Sequence, residues 1–242
     1  VDAEPVKALA QANKNGFLYV LNRETGEPVH PIIETPVPTE TDREGEEPWP
    51  TQPIPHTADG ERMEPVSPIF PEEIPPEALE GKTLVPIFTP LGSDQIFAPG
   101  FGGGASYAPI AYSPETGLLY VNAIDQPANS GRGPRGFFSA YDPTTAELVW
   151  RQIFEGYGQG GSVVTAGGVV FVGTGSNVAG YFFAFDARTG EELWKFNTGA
   201  GVFAAPATYM VDGEQFVAVA SGGGSRGRRG GDLILSFALP PR

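Results

Sequence analysis

The sequence contains no cysteine. That excludes a disulfide framework, a thiolate nucleophile and a thiolate metal site. Histidine is nearly as scarce, with His30 and His56 the only two. A histidine-based catalytic centre or zinc site is therefore not expected, and both read as solvent-facing residues of a polar stretch. No run approaches the ~18 apolar residues of a membrane-spanning helix. The opening residues, Val1-Asp2-Ala3-Glu4, lack the basic segment and apolar stretch of a secretion signal. They also lack an initiator methionine, as in a processed or truncated product. Positive charge is short: 15 Lys and Arg face 29 Asp and Glu, for a net charge of −14. Nucleic acid is a disfavoured partner for such a chain.

Turn residues are plentiful, with 33 Gly and 25 Pro. They punctuate a repeat. Ala184-Phe185-Asp186-Ala187-Arg188-Thr189-Gly190-Glu191-Glu192-Leu193-Trp194 has a counterpart 44 residues earlier, Ala140-Tyr141-Asp142-Pro143-Thr144-Thr145-Ala146-Glu147-Leu148-Val149-Trp150. Tyr181-Phe182-Phe183-Ala184-Phe185 is a continuous apolar run, as in a strand covered on both faces. Asp186 to Gly190 is a turn: Asp accepts from the amides just ahead and Gly takes positive φ. Glu191 to Phe196 then alternates, as an outer strand does. Short strands repeating every ~40–50 residues mark propeller blades. The Trp of each copy is the filler between blades, worth at most about 4–6 kcal/mol if its ~150–250 Å² is buried. The predicted fold class is all-β, a β-propeller of four-stranded antiparallel blades.

Partial copies extend the pattern. Gly16 to Gly26 has strand and turn, and Ala111 to Val121 has strand, turn, strand. Gly167 to Gly173 reads as a hairpin entering a strand. Gln215 to Ala220 and Asp232 to Leu239 are further strands. The last of these is not followed by an outer strand, and Val6 to Leu21 matches the middle of a blade. Unpaired sheet edges invite association. The expectation is a single partial propeller over residues 1–242, about half a ring, completed by another polypeptide; the alternative is a free-standing four-blade propeller, which the incomplete end blades disfavour.

A Pro-rich acidic insertion occupies about residues 34–90. Between Glu34 and Glu80, thirteen acidic residues face two arginines, a local balance of −11. It reads as an extended or packed excursion with a helical turn near Pro75 to Glu80. It serves either as a solubilising face or as a surface for a basic partner. Two Arg-Gly loops, Gly131 to Gly136 and Ser225 to Gly231, read as flexible tips. Three-glycine runs at 102–104 and 222–224 lack the strand–loop–helix context of a phosphate cradle and read as blade turns.

Further segments follow one another in a telling order. They are Lys7-Ala8-Leu9-Ala10-Gln11-Ala12-Asn13-Lys14-Asn15-Gly16-Phe17-Leu18-Tyr19-Val20, Pro50-Thr51-Gln52-Pro53, Ile87-Phe88-Thr89-Pro90 and Pro99-Gly100-Phe101-Gly102-Gly103-Gly104-Ala105. Thr165 to Phe171 and Asp212 to Val217 complete the series. In these segments the chain resembles the pyrroloquinoline-quinone (PQQ)-dependent dehydrogenases, in particular the membrane-type glucose and quinate branch. The resemblance implies an eight-bladed quinoprotein propeller of which this chain is the C-terminal half. It implies an oxidoreductase acting on an alcohol, sugar or polyol hydroxyl, in the periplasm or on the outer face of the bacterial inner membrane. The implied cofactors are PQQ and a calcium or lanthanide ion. The implied electron acceptor is a membrane quinone or a cytochrome.

The resemblance also nominates residues. Lys14 matches the cation beside the quinone oxygens, both a catalytic and a cofactor-binding position. Without the resemblance it reads as a solvated turn lysine. Ser106 and Tyr107 stand where many relatives have Asn-Trp. Gln159 and Gly160 match a loop facing the axis, with Gln159 where some relatives carry Trp. The family's catalytic Asp, metal ligands and Trp floor lie upstream of the segment matching Val1, so no metal ligand is assigned here. The chain alone is expected to be inactive and to need a complementary N-terminal half or companion subunit. Two rivals remain: a non-catalytic propeller scaffold that has lost the cofactor, and a carbohydrate-binding propeller using Trp49 and Tyr157.

Overall fold

Aromatic and β-branched runs separated by Asx and Gly turns favour antiparallel sheet. The computed structural model, which describes residues 5–106, 108–175, 179–223 and 230–239, is built of such sheets. Strands β1 (Ala8–Ala12) and β2 (Leu18–Asn22) pair as a hairpin. β3 (Ile32–Pro36) and β4 (Thr51–Pro55) form a second hairpin. β5 (Thr83–Val85) and β6 (Gln95–Phe97) form a short parallel pair. Short 3₁₀ turns at Pro71–Glu73 and Pro76–Leu79 precede β5, the second where the sequence predicts a helical turn.

Two four-stranded blades carry the repeat. The first is β7 (Ala111–Tyr112), β8 (Leu119–Asp125), β9 (Arg135–Asp142) and β10 (Glu147–Glu155), each pairing with the next. The second is β11 (Ser162–Val164), β12 (Val169–Gly175), β13 (Gly180–Asp186) and β14 (Glu192–Asn197). A three-stranded sheet follows: β15 (Ala207–Val211), β16 (Glu214–Ser221) and β17 (Leu233–Ala238). The core lies between sheets. Tyr120, Phe138 and Trp150 of the first blade pack with Val170, Phe183 and Phe185 of the second. Phe182 of the second packs with Val217 and Val219 of the third. Strand β11 lies beside β7 and β8, so the short first strands meet at the inner edge.

The repeat reaches the backbone. Register shifts at Val149 in one blade and at Leu193 in the other, each a one-residue bulge before the Trp. Ala146 (φ 62°) and Gly190 (φ 74°) both take the left-handed conformation that closes the turn. The two tryptophans then differ. Trp150 is 9% exposed, and its Nε1 donates to Ala187 O at 3.2 Å. The next blade's turn roofs it, since a Cβ on Gly190 would lie 2.7 Å from the indole. Trp194 packs on Phe182, Phe196 and Phe237 yet stays 36% exposed. No described residue supplies it with an equivalent turn.

The acidic insertion is partly packed down. Met63 and Val66 are buried with Phe137 and Tyr141. Arg151 reaches across to Glu64 Oε1 at 3.0 Å and Pro65 O at 2.6 Å, and also donates to Ser139 and Tyr141. Two expectations need correction. His30 and His56 are half-buried rather than solvent-facing, because backbone carbonyls of Pro143 and Ile54 bond their rings. The Gly131 to Gly136 loop is no free tip: Arg132 pairs with buried Asp125, and Arg135 pairs with Glu73 while lying over the Phe70 ring. Most of the second Arg-Gly loop lies outside the described residues.

Candidate functional site

Antiparallel order sorts the loops onto two faces. In each blade the link into the first strand, the second-to-third turn and the exit from the fourth share one end. This upper face collects residues 13–17, 98–106, 126–134, 156–161, 198–206 and the described part of 222–232. The lower face collects the turns at 22–26, 113–117, 142–146, 165–168, 186–190 and 212–213.

Every nominated residue within the described set lies on the upper face. Lys14 sits in the β1–β2 turn with its side chain exposed. Among the described residues its ammonium has no hydrogen-bond or ion-pair partner. Its backbone is held by the triple-glycine loop: Gly104 N donates to Lys14 O at 2.8 Å, and Ala105 N to Asn13 O at 3.2 Å. Gly103 is required there, because a Cβ would come 2.6 Å from Lys14 Cβ. Gly104 O in turn accepts from Ile124 N at 2.7 Å, which ties this loop to the upper end of β8.

Ser106 and Gln159 meet in one crevice with Gly104, Ala105, Ala108, Asn122 and Gly158. Its floor is too narrow for a water molecule. Lys14 is outside the crevice, on the adjoining turn. Gly160 is buried, and an added Cβ would strike Gly173 O and come 2.7 Å from Val202 O. Its contribution is therefore close backbone packing of the crossing loop. Tyr107 lies outside the described residues.

Sequence reasoning missed Asn122 and the Asp125–Arg132 pair. Asn122 is 2% exposed, its Nδ2 donates to Gly160 O, and its Oδ1 has no partner. A lone polar residue inside the apolar run Leu118 to Ile124 was the available signal. Asp125 Oδ1, Arg132 Nε and Ser162 Oγ are likewise buried without a partner. Burial pushes the Asp125 carboxyl up from its ordinary value, against the pull of Arg132. Asp125 and Ser162 lie at the upper ends of their strands and Arg132 in an upper loop, while Asn122 is at the middle of β8. Buried polar groups in folded proteins are nearly always satisfied by protein or water. Among the described residues no three His, Asp or Glu side chains gather as a metal ion would need.

The carbohydrate candidates are dispersed. Tyr157 packs edge-on against Phe203, whereas Trp49 is 73% exposed.

A family profile described as PQQ: glucose/ethanol/alcohol dehydrogenase, β-propeller domain, matches residues 1–136 and 152–217. A quinoprotein alcohol dehydrogenase of Pseudomonas putida is 33% identical over 94% of this chain, which covers 36% of that protein. A 1-butanol dehydrogenase (quinone) of Thauera butanivorans is 35% identical over 94% of this chain and 38% of its own length. The crystal structure of a quinohemoprotein alcohol dehydrogenase from Comamonas testosteroni superposes with a TM-score of 0.64 at 27% identity, covering 97% of this chain and 36% of that one. The chain thus spans somewhat over a third of the length of these relatives. They specify the dehydrogenase family and not the glucose and quinate branch within it.

Proposed function

The chain belongs to the family of PQQ-dependent glucose/ethanol/alcohol dehydrogenase β-propellers, and from that premise we propose that its upper face is one wall of the cofactor site of a quinoprotein alcohol dehydrogenase. The observation that carries the reading is the Lys14 ammonium, which has no partner among the described residues, on the same face as the crevice that brings Ser106 and Gln159 together. These residues fit an anionic, acceptor-rich ring system. Lys14 would hold its oxygens, and Ser106 and Gln159 would donate to its polar edge.

The chemistry that bound PQQ supplies is acceptance of two electrons from the alcohol carbon. The Lys14 ammonium would lower the cost of negative charge on the cofactor oxygens beside it. The triple-glycine loop fixes the backbone that carries this lysine. Gly160 keeps the crossing loop against the inner strands, and the crevice floor excludes water beneath Ser106 and Gln159. The hydroxyl proton needs a base, and the metal needs ligands. Both belong to a segment outside this chain, an N-terminal half or companion subunit that closes the ring. Alcohols, rather than sugars or polyols, are the proposed substrates, because the relatives named above carry alcohol names. A calcium or lanthanide ion, a cytochrome or membrane quinone as acceptor, and a periplasmic location complete the proposal.

The test is reconstitution of the complete protein with PQQ and calcium, followed by dye-linked oxidation of 1-butanol and of glucose. Quinone absorbance retained after gel filtration, with butanol the faster substrate, supports the reading. The scaffold alternative rests on Ser106, which has shorter reach than Asn, and on the absence of an aromatic at 159. It predicts no retained quinone and no rescue by added cofactor.

A further inference from the structure

We infer that Asn122 is a positioning residue of the upper face, acting through Gln159. The inference rests on the cofactor reading above. Asn122 stands in the middle of β8, between Val121 and Ala123, both buried. A carboxamide in such surroundings is costly unless its polar atoms are used. Its nitrogen is used: Nδ2 donates to the carbonyl of Gly160, which directly follows Gln159. That bond joins the second strand of one blade to the loop entering the next. It also decides which way the amide faces, with nitrogen toward the crossing loop.

The oxygen is the informative half. Oδ1 is buried without a partner in a crevice it shares with Ser106 and Gln159. No water fits at the floor, so solvent does not satisfy it. An amide oxygen only accepts. The side chains lining the crevice that can donate are the Ser106 hydroxyl and the Gln159 carboxamide. Asn122 therefore holds the loop at Gly160 with one end and offers the Gln159 carboxamide an acceptor with the other. The Ser106 hydroxyl has a single proton, which the cofactor reading assigns to the cofactor edge, whereas the Gln159 carboxamide has two, so one N–H can meet Asn122 while the other faces the cofactor.

The experiment measures the dissociation constant for PQQ, with calcium present, by absorbance titration of the complete protein. The unfolding midpoint without cofactor is recorded in parallel. Asn122→Leu keeps volume and removes both polar ends, and Asn122→Asp keeps an acceptor and removes the donor. Both are expected to weaken cofactor binding about tenfold, the effect of one lost hydrogen bond. Gln159→Ala weakens binding too, and the double variant Asn122→Leu/Gln159→Ala is no worse than the worse single, since the pair acts as a unit. A constant within about twofold of wild type in Asn122→Leu, or additive losses in the double variant, overturns the inference. If the Leu variant does not fold, Asn122→Ser is titrated and judged by the same limits. Wild-type protein that binds no PQQ sinks the cofactor reading itself, whereas wild-type binding with an indifferent Asn122 sinks the positioning role alone.

Discussion

The two faces of this chain handle their polar groups in opposite ways. On the lower face each turn is closed from within. Asp186 Oδ1 accepts from Arg188 N and Thr189 N, both at 2.9 Å, and Asp142 Oδ1 from Thr144 N at 2.7 Å. Asn22 does the same for Glu24 N and Thr25 N, and Ser113 for Thr116 N. On the upper face, among the described residues, four buried side-chain atoms are left without a partner. The carboxylates record the contrast. Amide bonds hold Asp186 below its ordinary range, whereas burial pushes Asp125 above it.

Glycine replacement should give the largest separation. Gly160→Ala on the upper face drives a Cβ into backbone oxygens that cannot give way, an expected loss of about 3 kcal/mol or more in denaturant unfolding. Gly168→Ala on the lower face meets nothing within 4 Å and costs only the left-handed φ, about 1–2 kcal/mol. Equal losses would break the comparison.

Lys14→Ala comes next. Turnover of the complete enzyme should fall about a hundredfold, as when one charge-stabilising group is removed, with an unchanged unfolding midpoint. Arg188→Ala on the lower face should leave turnover alone. Wild-type turnover in the Lys14 variant removes its role. Asp186→Ala is smaller, about 1 kcal/mol of stability for the lost turn bonds, with cofactor binding intact.

The smallest effect is in the pH dependence. The stabilisation from Asp186 is present above its ordinary 3.8 and is lost as pH falls through its depressed pKa. Asp125 has the opposite sign: its ionisation costs stability as pH rises from 3.8 through the raised pKa. Unfolding free energies measured over about pH 2–6 should show Asp186→Asn losing acid sensitivity and Asp125→Asn losing the opposing slope. Two variants that shift the curve in the same direction would contradict the assignment.

The lower turns were legible in the sequence because the bonds that close them are local. An Asx residue, a Thr and a Gly within five positions specify the turn, and the 44-residue spacing carried even the bulge at Val149 and Leu193. The upper face was legible only in part. Lys14, Ser106 and Gln159 were nominated through resemblance. Asn122 and the Asp125–Arg132 pair were not, since their meaning arises only when Gly160 and residues 126–134 are brought beside β8. Charge patterning likewise misjudged the Arg-Gly loop at 131–136, because its carboxylate partners Asp125 and Glu73 lie on other elements. The histidines failed for the same reason: Pro143 O, which bonds His30, is 113 residues away.

The backbone bonds that tie the crossing loops together have a consequence for how such a site changes over time. Gly104 to Lys14, Ile124 to Gly104 and Tyr157 to Gly175 are joined main chain to main chain. None of these joints depends on the side chain at 106 or 159. Substitutions at those rim positions can therefore alter what the face recognises while the contour that presents them stays put. If those positions face the cofactor as proposed, a library varied at Ser106 and Gln159 alone would search recognition chemistry on a constant framework.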